Sequence, residues 1–201
     1  MEIRTRRGSA SEAKPFEFFK GFLRNPREVG SVIPSSRFLI RRVLKAGEVS
    51  RARVILELGP GTGVLTREIL RAMSPGSRLI AVELMPRFAR LLRRELDDPR
   101  LLVYEGSSAY LRKALAEAGE ERADLVVSGI PFSTMAAGEG RRTLEAAKHV
   151  LGPGGRFVAY QFRSRVRDMA EPYFGPAETQ RELRNLPPMR IYRWRREAGM
   201  P

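Results

Sequence analysis

Two carboxylates and three glycines are the residues of this chain best placed to do chemistry. Glu57 lies near the end of the apolar run Val54–Leu58, and Gly59, Gly61 and Gly63 follow at alternate positions before the helical pattern Val64–Leu70 begins. Glycines at a strand-to-helix turn let the backbone approach a ligand and offer it free amide N–H groups. A second apolar run, Ile80-Ala81-Val82, ends in Glu83, 24 residues after Gly59. A carboxylate there can accept hydrogen bonds from a ribose diol. The spacing predicts a nucleoside pocket bordered by Glu57, Gly59, Pro60, Gly61, Thr62, Gly63, Glu83 and Leu84. A dinucleotide fingerprint would need glycine where Val64 stands, and a phosphate-cradling loop would need a Gly-Lys-Ser/Thr ending that is absent. A pyrophosphate is therefore poorly served.

The elements that must hold these residues follow from periodicity. Strand-like and helix-like patterns alternate from residue 53 onward, which predicts an α/β fold with a mostly parallel sheet covered on both faces. Strands are expected over 53–58, 79–83, 101–104, 124–128 and 156–162, with an antiparallel closing pair near 178–185 and 189–195. Helices are expected over 63–73, 86–97, 108–118 and 140–150. Residues 53–201 read as one domain, preceded by a segment over 1–52. In that segment Pro15 opens a short helical pattern with Phe16, Phe19 and Leu23 on one face, Phe18 and Phe22 widening it, and Lys14, Lys20 and Arg24 at its margins. Such a helix either lies in a membrane interface or packs on the core. A helical run over 37–44 follows, with Ser35 or Ser36 as its N-cap.

A chain of 201 residues suits one domain with a real core. It has no cysteine, which fits a reducing compartment and excludes disulfides and thiolate zinc sites. No secretory leader is visible at the start, and no stretch approaches the roughly 20 apolar residues of a membrane span. The net charge of +14 is uneven: residues 1–52 carry 12 basic and 5 acidic side chains, residues 181–201 carry 6 and 2, and the middle is nearly balanced. Two basic ends suggest a polyanionic partner, nucleic acid or an anionic lipid surface. The bland reading is solubility, since 32 of the 37 basic residues are arginine.

The form Glu57-x-Gly59-x-Gly61-x-Gly63 resembles the first motif of class I S-adenosylmethionine (SAM) methyltransferases. The resemblance implies a Rossmann-like, seven-stranded, mostly parallel sheet with an antiparallel last strand. It also implies SAM as methyl donor, S-adenosylhomocysteine as product, and Gly106, Ser107 and Ser108 beside the adenine, with Ser107 where relatives carry an aspartate. Ser128-Gly129-Ile130-Pro131-Phe132 is similar to the fourth-strand motif of adenine- and amine-directed members. There a proline turns the chain so that Ser128, the Ile130 carbonyl and the Phe132 ring face the acceptor nitrogen.

Together with VGSVIPSS at 29–36 and Asn185–Tyr192, these motifs look like bacterial phospholipid N-methyltransferases, over residues 16–195. That resemblance implies stepwise methylation of phosphatidylethanolamine toward phosphatidylcholine by a cytoplasmic protein held peripherally at the inner face of the cell membrane. Tyr160 would contact the headgroup or relay a proton through water. Ile33 would cover the cofactor. Phe16, Phe19, Lys20, Phe22, Arg24, Pro131, Arg190 and Tyr192 would meet lipid or membrane. His149 reads as structural. A monomer is expected, with no metal and no stable nucleic-acid partner. The rival reading is an rRNA adenine dimethylase, which shares fold and cofactor and would explain the charge. Against it stand Ser128, where that family has Asn, and the lack of its helical RNA-holding domain. A non-catalytic SAM-binding adaptor is the third.

Overall fold

Runs of Val, Ile and Leu bounded by Gly, Pro and Ser form the buried strands, and the i, i+3, i+4 apolar patterns between them form the helices that cover the sheet. The structure, a computed structural model, describes residues 36–197. Expectations resting on Phe16, Phe19, Lys20, Phe22, Arg24 and Ile33 lie outside those residues.

The described chain runs α1 (Arg37–Gly47), β1 (Val54–Leu58), α2 (Val64–Ala72), β2 (Arg78–Glu83), α3 (Pro86–Glu95), β3 (Leu101–Glu105), α4 (Leu111–Glu117), β4 (Ala123–Ser128), α5 (Ala137–Val150), β5 (Leu151–Gln161), α6 (Arg165–Phe174), β6 (Glu178–Glu182) and β7 (Met189–Arg195). The strands make one seven-stranded sheet in the order β3-β2-β1-β4-β5-β7-β6. β1 to β5 are parallel, and β7 runs antiparallel between β5 and β6. The order reverses between β1 and β4, and in open parallel sheets a ligand sits outside the strand ends at such a crevice.

Strand parity sends side chains to two cores. Leu56, Leu58, Ile80, Val82 and Val126 face α4, α5 and α6. Ile55, Leu79, Leu125 and Val127 face α1 and α2, and Val103 meets Ala89 and Leu92 of α3. α1 is thus part of the sheet's own core, so the globular unit reaches upstream of residue 53. Its N-cap is Ser36, whose Oγ accepts from the Leu39 N–H at 3.2 Å. The expected 108–118 helix is split, because Ser107 caps a 3-10 turn over Ser108–Tyr110 before α4 begins. α6 was not anticipated. Pro172 interrupts its pattern, yet Val166, Ala170 and Phe174 fall on one buried face. Phe157 stacks against both Phe174 and Trp194, at 5.3 and 5.2 Å between ring centroids, and so fixes α6 to the sheet.

Candidate active site

The loop after β1 takes the backbone into the left-handed region at Gly59 (φ 70°), Gly61 (φ 56°) and Gly63 (φ 78°), where any other L-residue is strained. Crowding adds to this at two of them. A Cβ on Gly63 would lie 2.6 Å from Leu92, and one on Gly59 would lie 3.0 Å from Ile130, so this loop and the loop after β4 are in contact. Above Gly61 there is open space. Pro60 is buried below it, Thr62 is exposed, and the Thr62 carbonyl accepts from Arg67 at 2.9 Å. Glu83 ties the loop to β2: its carboxylate accepts from the Gly61 N–H at 3.0 Å and the Met85 N–H at 2.8 Å. Burial raises its pKa, and those amides, with that of Leu84, pull it back. These amides leave lone pairs on the carboxylate for a diol.

Glu57 is different. It is buried, its Oε2 has no hydrogen-bond partner among the described residues, and burial pushes its carboxyl up to about 8. The Thr66 hydroxyl on α2 opposes that shift without closing a well-formed hydrogen bond, and Glu83 adds to it. An orphaned buried carboxyl is costly unless a partner arrives, and the partner that would ionise it is a cation. SAM fits this chemistry, since it brings an ammonium, a sulfonium and a ribose diol to a glycine cradle flanked by two carboxyls. Further round, the Gly106 N–H bonds to the Glu83 carbonyl at 2.9 Å. Ser107 accepts from the Ala109 N–H at 3.2 Å and keeps a lone pair and its own proton. Ser108, expected beside the adenine, instead turns inward to Thr143 of α5 at 2.9 Å.

The loop after β4 is held from several sides. Ser128 is buried, and its Oγ accepts from the Ile130 N–H at 3.3 Å. The Ile130 carbonyl accepts from the Phe132 N–H at 3.0 Å and from the Gln161 side-chain amide. Both its lone pairs are used, so in this conformation it braces the loop and is not free for an amine. The Phe132 ring is wholly buried in the core, beside Gly140, where a Cβ would touch it. Pro131 is half-buried. Tyr160 comes to the crevice from β5. A Cβ on Gly129 would lie 2.5 Å from its hydroxyl and 3.6 Å from the Gly59 carbonyl. Tyr160, the loop after β4 and the glycine loop therefore meet at one point.

Tyr192 lies in the core against Trp194, not on the surface, because its parity on β7 is that of Trp194. Arg190 has the opposite surroundings. With Ser133, Phe162, Arg163, Ser164, Arg165 and Asp168 it lines an open groove of about 460 Å³, and its guanidinium donates to the Phe162 carbonyl at 2.6 Å. Arg163 and Arg165 line this groove and were not among the expected residues. The signal was there, since they alternate directly after the fifth strand pattern. His149 bonds to the Glu145 carbonyl at 2.8 Å within α5, away from the crevice. No group of three or more His, Cys, Asp or Glu among the described residues could hold a metal ion, and no helix among them is long and apolar enough to cross a membrane.

The profile of the family described as Methyltransferase domain matches residues 55–155. The ornithine lipid N-methyltransferase of Singulisphaera acidiphila is 35% identical over 189 residues, covering 89% of this chain and 95% of that protein. A ribosomal RNA small subunit methyltransferase of Arabidopsis thaliana is 31% identical over 135 residues, covering 65% of this chain and 35% of its own length. Among solved structures, the 1,6-didemethyltoxoflavin-N1-methyltransferase of Burkholderia thailandensis, bound to its substrate and S-adenosylhomocysteine, superposes with a TM-score of 0.69 at 20% identity, over 98% of this chain and 94% of that one. The N-methyltransferase NodS of Bradyrhizobium japonicum with S-adenosylhomocysteine gives 0.63 at 15% identity, over 90% and 99%. The glycine cradle, its two carboxyls and a family match over half the sequence agree: this chain belongs to the Methyltransferase domain family and is a class I SAM-dependent methyltransferase.

Proposed function

We propose that this enzyme methylates the primary amine of a zwitterionic membrane lipid. Phosphatidylethanolamine is the first acceptor, its mono- and dimethyl forms follow, and the reaction takes place at the inner face of the cell membrane. The observation that carries this reading is the likeness, along nearly the whole chain, to an ornithine lipid N-methyltransferase. The ribosomal RNA relative is matched over only about a third of its own length. The two lipid headgroups share one chemistry, an amine a short reach from an anion. The arginine-lined groove beside the acceptor loop suits that anion, because guanidinium forks match phosphate and carboxylate oxygens.

Within this reading each side chain has a task. Glu57, Glu83 and the loop Gly59–Gly63 hold the cofactor, which supplies an electrophilic methyl group on its sulfonium. Ser128 and Gln161 fix the acceptor loop through the Ile130 amide and carbonyl. Arg163, Arg165 and Arg190 take the anion of the headgroup and so set where its amine falls. Near neutral pH that amine is an ammonium, and its proton must leave before its lone pair is available. The Tyr160 hydroxyl, at the meeting point of the two loops, is the group we assign to pass the proton to water. Alignment then supplies much of the acceleration, for which roughly 7–11 kcal/mol is available from positioning.

Labelled SAM offered with separate phosphatidylethanolamine vesicles, ornithine lipid vesicles and ribosomal RNA tests the assignment. Label is expected in mono-, di- and trimethylated phosphatidylethanolamine. Label in ornithine lipid alone would correct the headgroup, and label in RNA but in neither lipid would overturn the reading.

A further inference from the structure

Among the described residues, five large apolar side chains are exposed: Val64, Tyr110, Phe162, Leu183 and Leu186. All five lie at one end of the sheet. Val64 follows the loop after β1, Tyr110 follows β3, and Phe162 follows β5. β6 is antiparallel to β7, which is antiparallel to β5, so the β6–β7 hairpin carrying Leu183 and Leu186 turns at the same end. That end also holds the glycine loop and the acceptor loop. Scattered surface leucines need no explanation, but exposed apolar groups confined to one end of a sheet, two of them at the tip of one hairpin, do.

The hairpin is built to hold its leucines outward. Leu183 is 72% exposed and Leu186 88% exposed, while the polar residues beneath them are satisfied and buried. Asn185 Oδ1 accepts from the Ser36 N–H at 2.9 Å, and its amide donates to the Pro187 carbonyl at 3.0 Å. Buried Glu182 accepts from the Arg184 N–H at 2.9 Å and pairs with Arg184 and with Arg42 of α1, at 2.9 and 2.6 Å. The Arg184 guanidinium lies 4.1 Å from the centre of the Phe38 ring. The leucines therefore protrude from a braced support. At the same end of the sheet stand the exposed side chains of Arg163, Arg165 and Arg181.

We propose that this end of the sheet docks on an anionic phospholipid surface, with Leu183 and Leu186 entering the acyl boundary and the arginines at this end pairing with lipid phosphates. Apolar tips and cations at one end suit the interface between headgroups and chains, where rings and aliphatic groups go down and guanidiniums stay at phosphate level. Docking here turns the cofactor and acceptor loops toward the lipid. The inference deepens the proposed lipid-amine reading, and it assigns membrane contact to the globular unit itself, in addition to whatever the N-terminal segment contributes.

Sedimentation of the full chain with phosphatidylglycerol/phosphatidylcholine vesicles, which contain no amine acceptor, is the test. Leu183→Asp/Leu186→Asp is expected to lower vesicle partitioning by about tenfold or more while SAM affinity and Tm stay at the wild-type values. The single tryptophan, Trp194, is buried, so Leu186→Trp adds a surface reporter whose emission should shift to the blue on adding these vesicles. Wild-type sedimentation by the double variant, or an unmoved Leu186→Trp spectrum, would overturn the docking and leave this end to a protein partner. Turnover of phosphatidylethanolamine in detergent micelles separates the two ideas: if the wild type methylates it there, failure of docking leaves the lipid-amine function intact.

Discussion

Glu57 is carried into the interior by its parity on β1, which aims it at α2, and by its neighbours, which leave one oxygen without a donor. Burial raises the carboxyl to about 8, against an ordinary value of about 4.3 in an unfolded chain. The folded protein therefore holds a proton that the unfolded chain has lost, and this group's contribution to stability falls as pH rises from about 4.3 through about 8. A cationic cofactor reverses the preference by favouring the ionised form. SAM affinity is thus expected to rise with pH and level off above about 8, with net proton release on binding near neutral pH. Titration calorimetry in two buffers of different ionisation enthalpy reads that proton directly. Glu57→Gln should remove the proton release and flatten the pH profile; a variant with the wild-type buffer dependence would show that the proton comes from elsewhere.

At the scale of elements, the strand pattern and the glycine loop were legible because both are local. β1, β2 and β4 are largely apolar runs, β7 mixes apolar residues with arginines, and left-handed backbone asks for glycine whatever the tertiary context. The orientation of the acceptor loop was not legible, since it depends on contacts across the sheet. Gln161 of β5 takes the Ile130 carbonyl, and the core takes Phe132. α1 was visible as a pattern, but its role as a clamp was not. Its C-cap Glu48, at φ 48°, places a carboxylate 2.6 Å from Arg193 of β7 and 3.4 Å from Arg156 of β5, and Arg156 also donates to the Gly47 carbonyl at 3.0 Å. Arg156 is buried and its pKa is lowered, chiefly by desolvation, so it needs that counter-charge. Glu48→Gln should cost about 2 kcal/mol, seen as a drop in Tm of roughly 4–8 °C. SAM affinity should be unchanged, because the clamp stands at the sheet end opposite the cofactor loops. An unaltered Tm would mean that solvent already screens the cluster.

At the scale of the whole molecule, the arginines among the described residues include two populations. Some arginines are spent internally, as Arg42, Arg156 and Arg193 are on Glu182 and Glu48. Others stand exposed at the end that carries the cofactor and acceptor loops, Arg163, Arg165 and Arg181 among them. Salt screens these two populations differently, because a Debye length shrinks from about 10 Å to about 3 Å between 0.1 and 1 M while buried pairs are hardly affected. The carboxyls that hold the cofactor are buried, so raising NaCl from about 0.05 to about 0.5 M should change the Kd for SAM by less than about twofold. Over the same range, partitioning onto anionic vesicles should fall by about tenfold or more as the surface guanidiniums lose their pull on lipid phosphate. The leucines of the β6–β7 hairpin bind by apolar transfer, which salt does not weaken, so the wild type should retain a salt-resistant remainder that Leu183→Asp/Leu186→Asp removes. Sedimentation across a salt series, with calorimetry of SAM binding in the same buffers, measures both. A parallel loss of cofactor and vesicle binding would show that the exposed charge maintains the fold and does not serve a surface.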